Sequence, residues 1–255
     1  MFNPRFTESQ TPSLKNEWFN FARQHTLHFW SKNIVYTRVP GCFDYSIRRA
    51  LFYENGFGEG WPSSIIDIND VQFVCSPKEA LLGSERFAMI QHPFERVASI
   101  PLSLIDNRDG CATVWLENTG SNWHDQSFLD VIETLLSNKV LRYLSHWWIP
   151  QETCMIFRRN HYSKLFKKSQ VNDFAWWLGE RGIHLDRSLE EDQKTWSPDL
   201  DFVASSSDLV HKPLSSFSRD DLHDISVWEK FLTQEVIDKI RVIYEVDFEL
   251  FEGLA

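Results

Sequence analysis

The run from Asn33 to Val39, Asn-Ile-Val-Tyr-Thr-Arg-Val, constrains the fold more than any other segment of the chain. Its β-branched residues read as a buried strand, and Pro40-Gly41 ends it. The segment from Tyr45 to Tyr53 follows, with Ser46 near its start and Ile47, Ala50 and Leu51 on one helical face. A strand, a tight loop and a helix in that order form the unit on which parallel sheets hold ligands, because helix amino termini present unpaired N–H groups and a positive dipole end there. Arg38, Ser46, Arg48 and Arg49 can add donors to an anion in the loop of residues 40–46; the other reading of these side chains is surface charge.

The rest of the chain reads as strands alternating with helices, which implies a mostly parallel central sheet flanked by helices. A helix is expected from Glu17 to Trp30, a short second strand from Ser64 to Asp70, and a capping box at Ser76 and Glu79 opening a helix to Leu82. Arg86 to Gln91 reads as a strand broken by His92-Pro93, and Phe94 to Ile105 as one helix tolerating Pro101. Residues 107–126 and 190–218 read as irregular loop or lid regions. Helices are expected over 127–144, 162–182 and 233–251, the first capped by Ser127 or Asp125, with a strand over 153–157. One domain over 1–255 is expected, with 1–32 as an N-terminal helical extension.

Composition narrows the classes of function. With 42% apolar and 15% aromatic residues the chain can bury a core, and its 11 tryptophans read mainly as core, secondarily as surfaces for sugar stacking. A net charge of −10 provides no basic field for nucleic acid. Cys42, Cys75, Cys111 and Cys154 form no CxxC pair and read as reduced thiols, and His25 with His28 reads as packing or surface, with no metal expected. No signal peptide or membrane-spanning run is read, so a cytoplasmic protein is expected.

Several segments together resemble the carbohydrate sulfotransferases. Ile34-Val-Tyr-Thr-Arg-Val-Pro40 with Ser46 and Ile47-Arg-Arg-Ala-Leu51 is similar to their 5′-phosphosulfate loop, and residues 87–99, including Gln91, Arg96 and Ser99, to their 3′-phosphate motif. His146-Trp147 with Pro150-Gln151, Lys212 after His211, and Tyr244-Glu-Val-Asp-Phe-Glu-Leu-Phe251 are similar to later family segments, so the resemblance spans 33–251. It implies an α/β, P-loop-like sulfotransferase fold. It also implies 3′-phosphoadenosine 5′-phosphosulfate as donor, no metal, and transfer of a sulfo group to a hydroxyl of a carbohydrate or small-molecule acceptor. The expected nucleotide-side residues are Arg38, Gly41, Cys42, Ser46, Arg48, Gln91, Arg96, Ser99 and Lys212, and a glycan or sugar nucleotide-like acceptor is the expected partner.

The departures fall where charge develops on the leaving group. Gly41 stands where the family has lysine, Gln91 where it has arginine, and Asp44 puts a carboxylate in the loop, repulsive unless it caps its own helix. His146 is the first candidate base, with packing beneath the site as its other reading; Asp67 and Asp70 are acidic candidates or solvated turn residues, and His92 a ligand contact or loop histidine. Two functions follow, a sulfotransferase with a rearranged donor site and a catalytically impaired pseudo-sulfotransferase acting as a binding protein. A nucleoside-triphosphate hydrolase or kinase is disfavoured by the lack of Gly-x-x-x-x-Gly-Lys.

Overall fold

The computed structural model describes residues 17–58, 70–185, 204–223 and 225–254. They gather into two compact units, the first of residues 17–58, 70–91, 151–185 and 254, the second of residues 92–150, 204–223 and 225–253.

The first unit is built on a four-stranded sheet, β1 (Thr26–Phe29), β2 (Ile34–Thr37), β3 (Glu85–Ile90) and β4 (Lys164–Lys167), in that spatial order. β1 pairs antiparallel with β2, whereas β2–β3 and β3–β4 are parallel, so the expected α/β class with a mostly parallel sheet is present. Every residue of β2 is buried, which is why its sequence is a continuous apolar run instead of an alternation. Phe87 on β3 anchors the aromatic core, stacked on Tyr36 at 5.1 Å and packed against Phe174 at 5.7 Å and Trp177 at 5.3 Å. Trp30, Phe52, Phe57 and Phe73 form a second aromatic cluster in the same unit.

Several expectations are corrected in this unit. The first helix stops at Gln24, and residues 26–29, read as its continuation, form β1 instead. A short strand buried on both faces carries the same apolar density as a helical stripe, and only pairing with β2 separates the two. The strand expected over 153–157 is replaced by a helical turn, Gln151–Cys154, and the last parallel strand lies at Lys164–Lys167, inside the expected 162–182 helix, which runs only over Val171–Gly179. Lys-Leu-Phe-Lys carries lysine because β4 is an edge strand. Most of the expected Ser64–Asp70 strand, including Asp67, lies outside the described residues, and Asp70 opens a 3-10 turn, Asp70–Phe73. The Ser76–Glu79 capping box forms as read, opening Pro77–Leu82.

The second unit is helical. Its core joins Trp115, Phe128, Trp148, Phe231, Ile240 and Tyr244, with Phe128 stacked on Phe231 at 4.8 Å and the Tyr244 hydroxyl donating to the Trp148 carbonyl at 2.6 Å. Expected long helices are divided here. Phe94 to Ile105 becomes Pro93–Ala98 and Ile100–Ile105, because Pro101 lacks an N–H and fits only a helix's first turn. The 127–144 helix ends at Ser137, after a capping box between Ser127 and Asp130, and the closing helix divides into Gln234–Ile243 and Glu245–Glu252. Residues 107–126, read as a loop or lid, contain the Cys111–Thr119 helix, bounded by Gly110 and Gly120 at positive φ and anchored by the fully buried Trp115. Of residues 190–218, those from 204 are described and carry only short 3-10 turns before Ser218. No helix among the described residues is long and apolar enough to cross a membrane.

Gly83 closes the Pro77–Leu82 helix against β2, where an added Cβ would meet a Val35 methyl at 2.5 Å. Gly83→Ala is expected to destabilise the protein by about 1–3 kcal/mol through overpacking, read as a lower urea midpoint at unchanged slope.

Candidate functional site

The candidate site is the turn between β2 and the Asp44–Phe52 helix. Leaving β2, the chain folds the Cys42 amide back onto the Val39 carbonyl at 3.1 Å. Gly41 lies at φ +85° and Phe43, the residue before the helix, at φ +50°, so the loop uses two left-handed positions in three residues. Phe43 supplies no side-chain cap to the helix, which leaves its first-turn N–H groups to be satisfied by something other than a capping hydroxyl. The half-buried Gly41, Phe43, Asp44 and Tyr45 form the partly exposed rim, while Cys42, Ser46 and Arg48 are buried.

Asp44 organises the loop. Its Oδ2 accepts from Arg38 Nε at 2.9 Å and lies 3.2 Å from an Arg48 Nη, one helical turn further on. One carboxylate is shared by two of the three loop arginines expected to hold an anion, while Arg49 lies 5.9 Å from the centre of the Tyr45 ring. Its other oxygen, Oδ1, is buried and has no partner among the described residues, and the same holds for the Tyr36 hydroxyl. Burial holds the Tyr36 phenol well above its ordinary range, the Asp44 and Cys42 charges push the same way, and Arg38 and Arg48 only partly oppose them. The hydroxyl therefore remains protonated and able to donate.

Gln91, where the family motif has arginine, lies beside Gly41, and its side-chain amide would be 3.6 Å from a Cβ added there. A lysine at position 41 would have to adopt a left-handed backbone at a cost of about 1–2 kcal/mol. Gln151 clasps the end of β3: its Oε1 accepts from the Gln91 amide at 2.9 Å, and its Nε2 donates to the Gln91 carbonyl at 2.9 Å. The Cys42 thiol donates to the same Oε1 at 3.9 Å. Gln151 thus continues the ladder by one side chain and ties the two expected motif strands together.

Arg38, Gly41, Cys42, Ser46, Arg48 and Gln91 all belong to the first unit, and Arg96, Ser99, His146 and Lys212 to the second. Arg96 is buried, donating from Nε to the Ile149 carbonyl at 3.0 Å and from Nη2 to the His146 carbonyl at 2.7 Å, so it holds the 146–149 turn. The Ser99 hydroxyl donates to the Arg96 carbonyl at 2.7 Å. His146 and Lys212 are exposed. His92 caps the Pro93–Ala98 helix, its Nδ1 accepting from the Phe94 amide at 3.1 Å while its ring packs on Phe251 at 4.8 Å. Of the tryptophans considered for sugar stacking, Trp115 and Trp123 are buried, and Trp147 carries Arg108 at 5.0 Å from its ring centre. All four cysteines are buried and none forms a disulfide. Among the described residues no group of three His, Cys, Asp or Glu side chains is arranged to hold a metal ion.

Tyr36 and the clasping role of Gln151 were missed by sequence reasoning. Tyr36 reads as one more strand residue, and only the fold shows that its hydroxyl is buried without a partner among the described residues. For Asp44, the spacing to Arg48 on one helix face was the available signal.

No family model, no curated protein and no solved structure matches this chain.

Gln151→Leu would leave the Gln91 N–H and C=O buried without their partner. Each unsatisfied group costs about 1–3 kcal/mol, so chemical denaturation should show a large fall in stability.

Proposed function

We propose that this chain is a sulfotransferase-like protein whose donor loop no longer transfers a sulfo group and serves as a binding site. The observation that carries this reading is the Asp44 carboxylate held by both Arg38 and Arg48. Sulfo transfer needs cationic donors at the oxygen bridging nucleotide and sulfur, since charge accumulates there as the bond breaks. Position 41 offers a glycine in a conformation unfavourable to lysine, and position 91 offers a neutral amide. Two of the three loop arginines are already engaged by a carboxylate that repels a fully ionised sulfo group, and the third, Arg49, lies 5.9 Å from the centre of the Tyr45 ring. The residues present therefore fit 3′-phosphoadenosine 5′-phosphosulfate poorly, and no transfer step is assigned to them.

Two measurements test the reading. Titration calorimetry with adenosine 3′,5′-bisphosphate is expected to show no saturation below about 1 mM for the native chain. Asp44→Asn, which releases one charge-assisted pair or more, is expected to strengthen binding by about tenfold or more. Transfer of labelled sulfo groups by the native chain to any of a panel of mono- and oligosaccharides would show the donor loop to be functional and end the proposal.

A further inference from the structure

At the end of the sheet opposite the donor loop, the first unit gathers cations beside exposed leucines. Residues 153–172 contain Arg158, Arg159, Lys164, Lys167 and Lys168 and no aspartate or glutamate, in a chain whose net charge is −10. Arg158, Arg159 and Lys164 are exposed, and none of the three enters an ion pair among the described residues. Lys164 opens β4 shortly after the Arg159–His161 turn, so these cations lie at the start of the parallel strands, whereas the donor loop leaves the end of β2.

The Pro77–Leu82 helix ends in the same place, and its last four carbonyls all have partners. The Gly83 amide donates to Glu79 at 2.9 Å, Arg86 donates from Nε to Ala80 at 3.0 Å and from Nη2 to Leu81 at 2.5 Å, and Asn33 Nδ2 donates to Leu82 at 3.2 Å. A helix end satisfied in this way resists fraying, so Leu81 and Leu82, 39% and 63% exposed, are presented by a fixed element. Arg86 also joins this helix end to the basic segment. Its guanidinium carbon lies 5.0 Å from the centre of the Phe157 ring, next in sequence to Arg158, and its amide donates to the Ser163 hydroxyl at 3.0 Å, next to Lys164. Two outward leucines and three exposed cations thereby surround one arginine of β3.

Cations alone fit any polyanion; leucines placed among them narrow the choice. Two leucines supply too little apolar surface for the core of a protein–protein interface, and a nucleic acid or sulfated polysaccharide gains nothing from them. A bilayer is fluid and needs no matching shape: apolar side chains enter the boundary between head groups and acyl chains, and each nearby lysine or arginine strengthens binding to anionic lipid by about fivefold. We propose that the face formed by Leu81, Leu82, Arg158, Arg159 and Lys164 is a peripheral docking surface for an anionic lipid bilayer, the leucines entering the head-group boundary and the cations meeting lipid phosphates and carboxylates. Contact of this kind needs no spanning helix. With a net charge of −10 the rest of the chain is repelled by such a surface, so the basic face also sets the orientation of docking. None of these residues belongs to the donor loop, and the proposal stands whether or not that loop transfers a sulfo group.

The test is co-sedimentation of the full chain with phosphatidylcholine vesicles containing about 30% phosphatidylserine, at about 0.05 M and about 0.5 M salt, against vesicles of phosphatidylcholine alone. Native protein is expected to bind the anionic vesicles about tenfold or more tighter than the neutral ones at low salt, and to be released at high salt. Replacing Arg158, Arg159 and Lys164 together by serine should weaken binding about a hundredfold, and Leu81→Ser with Leu82→Ser about five- to tenfold. Both variants should keep the native melting temperature, since the substituted side chains are exposed. Arg158→Lys with Arg159→Lys should retain binding, because a lipid surface of this kind reads charge and not guanidinium geometry.

Equal binding to neutral and anionic vesicles, undiminished binding by the triple serine variant, or no sedimentation at low salt would overturn the proposal. So would leucine variants that bind as the native chain does while heparin or poly-glutamate displaces the vesicles, since the face would then dock a polysaccharide or an acidic peptide through charge alone.

Discussion

A carboxylate shared between two guanidinium groups decides the character of the strand–loop–helix. Asp44 lies in the first helical turn, where the dipole favours a negative charge, and it draws Arg38 back from the strand end and Arg48 across from the next turn. The contact is charge-assisted and half-buried, so it is stronger than an exposed ion pair of the same geometry. Without Asp44 the turn would hold two cations and a row of N–H groups with no counter-charge. With it, both guanidinium groups have a counter-charge, while Asp44 Oδ1 and the Tyr36 hydroxyl are buried without a partner among the described residues.

Gln151 performs a complementary service at the neighbouring strand. A strand that stops inside a protein leaves an amide and a carbonyl needing partners, and a glutamine is the side chain that supplies both groups at once. The Gln91–Gln151 pair is therefore a backbone ladder continued by a side chain, and it brings Cys42 and Gly41 against the end of β3. Arg96 does comparable work in the helical unit, where its guanidinium holds the carbonyls of a turn.

Much of the architecture was legible where local chemistry speaks for itself. The β-branched run of β2, the capping box at Ser76 and the start of a helix at Ser127 each follow from residues that interact with near neighbours. Legibility failed where pairing partners lie far off in sequence. β1 looks like helix until β2 lies beside it, and Lys164–Lys167 reads as part of a helix over 162–182 until it completes the sheet edge. In the candidate site, Arg38, Gly41, Ser46, Arg48 and Gln91 were found by pattern, but the sharing of Asp44 and the open hydroxyl of Tyr36 depend on side-chain directions that no spacing rule supplies.

The placement of β4 has a consequence for how the chain is made. β3 pairs Phe87 with Lys164, and between those residues the chain leaves the sheet to build residues 92–150 of a separate helical unit. As the ribosome releases the polypeptide, Phe87, Ala88, Met89 and Ile90 must wait with one flank of hydrogen-bonding groups vacant until the lysine-bearing strand emerges. During that interval the nascent chain carries an adhesive apolar ribbon, so the yield of native protein in a cell depends on how quickly residues 92–163 are synthesised and on chaperone cover while they are.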